Sequence, residues 1–436
     1  MTVSTHMLHR RRFLPLFVTQ LLGAFNDNLY KNAMVLFVVY SVYNSEDAEG
    51  LFSSVASAVF ILPFFLLSAL AGQLADMRDK ARIIRIVKAA EIGIMCVGAV
   101  GLFLAREGIA VHVAAIPLLM LALFAMGVHS TFFGPIKYAI LPQHLHDDEV
   151  LAGTGLVEAG TYIAILFGTI LAGWISVEAA AVGVIGVAIV GYFVSREVPP
   201  APAQGEVEPL DFHFVRSSIT LVRNTSHDRR VFLAIMAISF FWAIGTVLFI
   251  QFLPLAKNVL TASKEVASLF LVIFSIGVAI GSVSVNALLK GTVSARYSPI
   301  SVLVMGVFVL AFYVVCRTWI PETDGTLLNV SEFVAHSMAI PLLICLLGIA
   351  IAGGMFVVPL YAFLTTFVPK TQTARTIAAN NIVNSGAMVG GSLVAAGLSA
   401  LGVDIVHHLL FTASMCLVSA WLGWLLLRAE RAAASS

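Results

Sequence analysis

The segment Phe25-Asn26-Asp27-Asn28-Leu29-Tyr30-Lys31-Asn32 sets a carboxylate, an ammonium group and three amides in the middle of an apolar run. Asp27 and Lys31 stand four residues apart, acid first, so on a helix they share one face in the favourable order. A charge at the centre of a bilayer costs about 3 kcal/mol on insertion scales, and such residues face a cavity or a partner. Two chemistries follow. The pair either neutralises itself as an internal ion pair, or faces a cavity and exchanges partners when a charged ligand enters. Asn26 and Asn28 fall on other faces, and at least one is expected to hydrogen-bond a neighbouring helix. At 1.5 Å per residue, Asp27 lies about 22 Å along its span from Arg12, near the membrane midplane.

Lys137 and Glu158 are the next candidates. Lys137 follows a Gly134-Pro135 break late in the fourth apolar run, and Glu158 stands about two turns into the fifth. They either meet each other or line the inner part of a pathway. Lys137 has the alternative of snorkelling to the interface, and Glu158 that of a structural salt bridge. The cores of the seventh, eighth, tenth and eleventh runs hold no Asp, Glu, Lys or Arg. They carry only Gln251, Asn286, Asn380, Asn381 and Asn384 among small residues. Charge in one half and an apolar, amide-lined wall in the other suits an amphipathic molecule better than a sugar. The run His144-Leu145-His146-Asp147-Asp148-Glu149 has the composition of a metal cluster, but its acids suit the N-terminus of the following helix. No metal site is expected, and without a Walker A pattern no nucleotide cofactor either.

These residues must be positioned by membrane spans. Of 436 residues, 59% are hydrophobic and only 11% charged, against about 25% charged in a soluble domain. Mean hydropathy is +0.97. The net charge of +1 points to no polyanionic partner, so no nucleic acid. Apolar runs long enough to cross the hydrocarbon core are read at 14–42, 51–75, 82–105, 110–136, 150–175, 177–195, 230–256, 265–289, 297–316, 338–366, 374–402 and 404–427. The Pro-containing polar segment 196–229 divides these twelve spans six and six. It separates an N-terminal bundle, 1–195, from a C-terminal bundle, 230–436. With the N-terminus inside, twenty of the 25 Lys and Arg fall on the cytoplasmic side, the five between 78 and 88 among them. Only Arg106, Lys257, Lys264 and Arg317 fall outside, and Lys31 lies within the first span. That asymmetry sets both termini in the cytoplasm. Cys96, Cys316, Cys345 and Cys416 lie within apolar runs and read as small buried hydrophobes. The first apolar run is too long for a signal peptide and is read as an uncleaved span.

Between the second and third spans, Gly72-Gln73-Leu74-Ala75-Asp76-Met77-Arg78-Asp79-Lys80 resembles the cytoplasmic signature of the major facilitator superfamily. Asp79 stands where that signature usually has a second glycine. The resemblance implies an all-α integral membrane fold of twelve transmembrane helices in two six-helix halves, with Gly72, Asp76 and Arg78 as a conformational latch.

A narrower resemblance, to the lysophospholipid transporter family, rests on segments in both halves. They are Ala24-Phe25-Asn26-Asp27-Asn28, Gly134-Pro135-Ile136-Lys137-Tyr138-Ala139-Ile140-Leu141, Gly155-Leu156-Val157-Glu158-Ala159, Ile163-Ala164-Ile165-Leu166-Phe167-Gly168-Thr169, Phe356-Val357-Val358-Pro359-Leu360 and the amide-rich stretch from Asn380-Asn381 to Asn384. It implies a transporter, not an enzyme, in the bacterial inner membrane, flipping lysophosphatidylethanolamine-like lipid between leaflets by alternating access. Asp27, Lys31, Asn28, Lys137, Glu158, Asn380 and Asn384 are the substrate-binding candidates. An acyltransferase is the implied functional partner. The chain has no His-x-x-x-x-Asp motif, so that enzyme is expected to be a separate protein. One departure stands out: Phe249 occupies a position where the family carries an arginine. Two rival readings remain. One is a proton-coupled exporter of drugs or small metabolites with Asp27 as proton carrier. The other is a non-transporting membrane partner of an acyltransferase.

Overall fold

Apolar stretches of this length satisfy their backbone groups within lipid only as helices or closed barrels. The computed structural model, which describes residues 7–42, 46–204, 209–320 and 327–434, resolves them as helices. Twelve are long: α1 (Leu14–Ser41), α2 (Glu46–Met77), α3 (Lys80–Arg106), α4 (Ile116–Ala139), α5 (Asp147–Trp174), α6 (Val177–Arg196), α7 (Arg229–Pro254), α8 (Lys264–Leu289), α9 (Ser298–Thr318), α10 (Ala339–Thr366), α11 (Thr373–Ala400) and α12 (His408–Ala434). Eleven of these segments among the described residues are long and apolar enough to cross a membrane. The twelfth long helix, α1, has 28 residues, which reach about 42 Å, but carries the Asn-Asp-Asn and Lys-Asn interruptions. Among the described residues the only strand-like pairing is an isolated bridge between Ala262 and Leu328.

Helix ends fall where the chain supplies caps. Asp79 accepts the Arg82 N–H at 3.1 Å to start α3, and Asp228 accepts the Arg230 N–H at 2.8 Å to start α7. His146 and Glu149 close a capping box on α5, satisfying N–H groups that have no partner inside the helix. Glu149 also pairs with Arg10 and, at 2.6 Å, with Arg12. The acids of the 144–149 run therefore serve a helix start. No metal-holding group of His, Cys, Asp and Glu occurs among the described residues. The 196–229 segment contains a helix, Phe214–Thr225. It lies along α2, with Ser218 Oγ donating to Phe65 O at 3.3 Å and the Asp211 N–H to Gln73 Oε1 at 3.3 Å.

The chain forms two compact units. The first comprises Met1–Gly153, Ile163–Asn224 and Thr365–Ile382; the second comprises Thr154–Tyr162, Thr225–Leu364 and Val383–Ser436. In the first, Tyr30, Met34, Met95, Leu102, Leu119 and Val184 form the apolar core. The Tyr30 ring seats on Gly98, where a Cβ would come within 2.5 Å of its edge. In the second, α8 and α10 touch backbone to backbone. A Cβ on Gly277 would lie 3.0 Å from Leu347 O, one on Gly354 2.5 Å from Val278 O, and one on Gly281 would collide with Ile351 O. Small residues are what allow helices in lipid to approach this closely. Three cysteines are buried as expected, but Cys96 is exposed. It sits on the outward face of α3, beside exposed Val100 and Phe103 rather than in the core.

Candidate substrate site

The polar centre of α1 is held by three neighbouring helices of the first unit. On the α4 side, Ser130 Oγ donates to Asp27 Oδ2 at 2.6 Å. On the α3 side, Asn26 Nδ2 donates to Glu91 Oε1 at 2.8 Å, so Asn26 supplies the interhelical hydrogen bond. On the α5 side, Asn32 Nδ2 donates to Thr169 Oγ1 at 3.1 Å. There Gly168 lets α5 approach α1 so closely that a Cβ would come within 2.6 Å of Phe25 O. Asn28 instead donates to Ala24 O of its own helix at 2.8 Å. Asp27, Asn28 and Lys31 are half-buried while Asn26 and Tyr30 are buried. The face carrying Asp27, Asn28 and Lys31 therefore keeps accessible surface deep within a spanning segment.

Asp27 and Lys31 form no ion pair within 4.0 Å among the described residues. The carboxylate turns toward α4, while the Lys31 ammonium lies 5.6 Å from the Phe60 ring centroid. That separation leaves each charge able to engage a different group of one ligand.

Beside them lies a cluster that the sequence reading did not find. Lys88 forms an ion pair with Glu91 one turn on. His129 Nε2 stands 3.2 Å from Glu91 Oε2. Lys88 and Glu91 are 1% and 0% exposed. Room for the lysine comes from glycine: a Cβ on Gly191 of α6 would lie 2.9 Å from Lys88 Cε, and one on Gly23 of α1 3.5 Å from Nζ. Lys88, grouped from sequence with the cytoplasmic cations, is thus an interior residue of α3, about 12 Å from the helix start. The available signal was its i,i+3 spacing to Glu91, an intramembrane acid of the third span.

The other candidates are dispersed. Lys137, in the last turn of α4, is half-buried with its ammonium 4.8 Å from the Tyr138 ring centroid. Asn380 is buried in the first unit. Glu158 is buried in the second unit, one turn before Tyr162, on which its charge acts. Asn384, also in the second unit, accepts from Ser239 Oγ at 2.8 Å and donates to Tyr361 Oη at 3.3 Å. Trp242 Nε1 donates to the same Tyr361 oxygen at 3.0 Å. This network is uncharged. Phe249 packs 4.9 Å from Phe274 and 5.5 Å from Phe252 between ring centroids, and Phe252 continues to Phe270. Phe249 is thus part of an aromatic wall.

The three latch candidates make different contacts. Asp76 accepts the Ala374 and Arg375 N–H groups, each at 3.0 Å, capping the first turn of α11 with a carboxylate at the positive end of its dipole. Gly72 makes the approach possible, because a Cβ there would lie 2.7 Å from Ala378 Cβ. Arg78 is exposed and donates to Met77 O. The cations acting on Asp76 are buried Lys80 and Arg375. Asp79, at the place of the signature's second glycine, caps α3 and also accepts the Ala201 N–H at 3.4 Å.

The sequence profile of the Major Facilitator Superfamily matches residues 16–340. The chain belongs to this superfamily, and it is a multi-pass membrane protein that works as a secondary transporter by alternating access. Among its relatives is the lysophospholipid transporter LplT of Cronobacter sakazakii, 25% identical over 408 residues, covering 91% of this chain and 90% of that protein. The LplT of Salmonella newport is 25% identical over 402 residues, covering 89% and 88%. Solved structures share the fold. A bacterial homologue of the iron transporter ferroportin in the outward-facing state superposes with a TM-score of 0.69 at 14% identity, covering 99% of this chain and all of that one. The proton:xylose symporter XylE gives 0.65 at 12% identity, covering 97% and 95%.

Proposed function

We propose that this transporter moves a lysophospholipid with a zwitterionic headgroup, of the lysophosphatidylethanolamine kind, from the outer to the inner leaflet of the bacterial inner membrane. The observation that carries the reading is the accessible α1 face. Asp27 and Lys31 point to different partners there, one tethered to Ser130 and one lying over Phe60. An ammonium suits Asp27 and a phosphate suits Lys31, with Lys137 a second cation toward the cytoplasmic end. Asn28 offers a polar neighbour on the same face. The second unit contributes the aromatic wall around Phe249 and the neutral amide network at Asn384, surfaces that accept an acyl chain without a charge to desolvate. Asn380 and Glu158 complete the proposed pathway lining. Full-length similarity to transporters of this substrate class supports the same reading.

In this scheme the halves 1–195 and 230–436 rock about the site, both termini are cytoplasmic, and release of Asp76 from α11 accompanies the change of access. A separate acyltransferase then consumes the delivered lipid. The test is uptake of labelled lysophosphatidylethanolamine into spheroplasts lacking their own transporter, for wild type and Asp27→Asn. Uptake by wild type that the variant loses supports both substrate and site. No uptake by well-expressed wild type refutes the lipid assignment and turns attention to a proton-coupled exporter.

A further inference from the structure

The helix Phe214–Thr225 of the central segment is built inside out. A helix packed on a protein in water turns its apolar side inward and its polar side to solvent. Here Ser217 and Ser218 are the buried residues, while Val215 and Ile219 stand 58% and 65% exposed, and Phe212, just before the helix, 62%. Ser218 makes the contact to Phe65 O of α2, and Ser217 Oγ donates to Asp211 O at 3.4 Å.

Positive charge borders the exposed apolar side. Val215, Ile219 and Val222 fall at i, i+4 and i+7, one stripe along the helix. Arg216 stands three residues before Ile219 and Arg223 four after it, so both flank that stripe, and both are exposed. The helix itself carries no acid. The nearest acid, Asp211, is engaged by His213, whose backbone N–H and Nδ1 lie 3.0 and 3.1 Å from its Oδ1.

We propose that this helix is a membrane-surface anchor. Phe212, Val215 and Ile219 enter the lipid layer beside α2, and Arg216 and Arg223 hold the phosphates of anionic phospholipids. This binding does not depend on which molecule the transporter carries.

Position is the first reason for lipid as the occupant. The helix meets α2 at Phe65, inside the stretch Val55–Met77 that is long and apolar enough to cross a membrane. Leu62 and Phe65 are themselves 47% and 45% exposed, so the contact lies amid apolar surface of a spanning helix. The medium around such a surface is hydrocarbon and headgroup, not bulk water.

Side-chain type is the second. Interfacial helices combine an apolar face with arginine or lysine on the polar one. The long arginine stem covers apolar surface while its guanidinium reaches outward, where its fork takes a phosphate through two parallel N–H bonds. A protein partner would have to place acids opposite both arginines and a groove opposite the stripe. A leaflet containing acidic lipids offers both everywhere, and each basic side chain near it strengthens binding about fivefold.

The test is spin labelling of the full-length protein in nanodiscs on a Cys96→Ser background, since Cys96 is exposed and the other three cysteines are buried. Labels are placed through Val215→Cys, Ile219→Cys and, as a water-facing control, Thr220→Cys, which lies exposed on the polar side. Each is measured in phosphatidylcholine alone and with phosphatidylglycerol added. In the mixed lipid the labels replacing Val215 and Ile219 should collide more with oxygen than with a water-soluble nickel complex, and the label replacing Thr220 should do the reverse. Arg216→Gln together with Arg223→Gln should abolish the difference between the two lipid mixtures. Labels at Val215 and Ile219 as accessible to water as the control in both lipids overturn the anchor. Immersion that is equal with and without phosphatidylglycerol, or a lipid difference that survives loss of both arginines, overturns the anionic-lipid assignment. Shielding of the Ile219 label from both probes means that protein covers the stripe, and it too overturns the proposal.

Discussion

The polar networks described in the two units differ in kind. In the first, the buried charge of Glu91 is met by Lys88 of its own helix, Asn26 of α1 and His129 of α4. In the second, Glu158 is a buried acid, but the network of Ser239, Trp242, Tyr361 and Asn384 is neutral, and α7, which supplies Ser239 and Trp242, also carries Phe249 and Phe252 of the aromatic wall. A buried charge fixes its neighbours, because removing any one of them strands the rest. A neutral network or an aromatic cluster tolerates loss of a member at a smaller cost. Packing and ligand chemistry are therefore the same bonds in the first unit and separable in the second.

The largest effect that would break this contrast is on stability. Glu91→Ala leaves Lys88 buried without its partner and should cost about 3–5 kcal/mol, seen as loss of monodisperse protein and a lower melting temperature in detergent. The double variant Lys88→Met, Glu91→Leu should recover most of it; equal instability of single and double variants would refute the pairing. Next comes Asp27→Asn, which keeps the Ser130 contact and the fold but should reduce lipid uptake about tenfold or more through loss of a charged hydrogen-bond acceptor. Unchanged uptake would remove Asp27 from the site.

Asp76→Ala exposes two N–H groups of α11 and should cost about 1–2 kcal/mol, read as a shifted ratio of inward and outward accessibility in cysteine labelling. Asn384→Ala, the neutral counterpart of Glu91→Ala, should cost only about 1 kcal/mol by the same thermal measurement; a loss as large as that of Glu91→Ala would erase the distinction between the units. The smallest effect is expected from Phe249→Leu. Aromatic pairs contribute about 0.5–1.5 kcal/mol, so affinity for a long-chain lysolipid should fall severalfold while that for a short-chain one stays level.

Much of this was legible in the chain. Spans read from apolar length agree with the helices to within a few residues at most ends, because in lipid a run of that length has no other way to satisfy its backbone. The exceptions are instructive. The start of α2 and the end of α12 extend several residues beyond the apolar core, since helix can continue past the hydrocarbon where water satisfies the backbone. Asp27 and Lys31 were visible because they interrupt an apolar run. Lys88 was not, because it closes a series of cytoplasmic cations, and position along a sequence does not show that Gly23 and Gly191 open a berth for it. His129 was silent for a different reason: its role depends on Glu91, 38 positions earlier, and no periodicity links residues on separate helices. Phe249 stands out in the sequence only through the family resemblance, and the packing against Phe252 and Phe274 shows what surrounds it.

The glycine seam between α8 and α10 bears on how this protein can change over generations. At Gly281 and Gly354 the nearest atoms are backbone, which no substitution can trim, whereas at Gly277 the nearest is the Cβ of Ala350. A methyl gained at Gly281 or Gly354 therefore meets main chain first, and trimming a side chain on the other helix does not make room for it. In a saturation library Gly281 and Gly354 should accept glycine alone, although no ligand need ever touch them, while Phe249 and Asn384 accept replacements at a modest cost. The most restricted part of the molecule would then be the two points at which main chain presses on main chain.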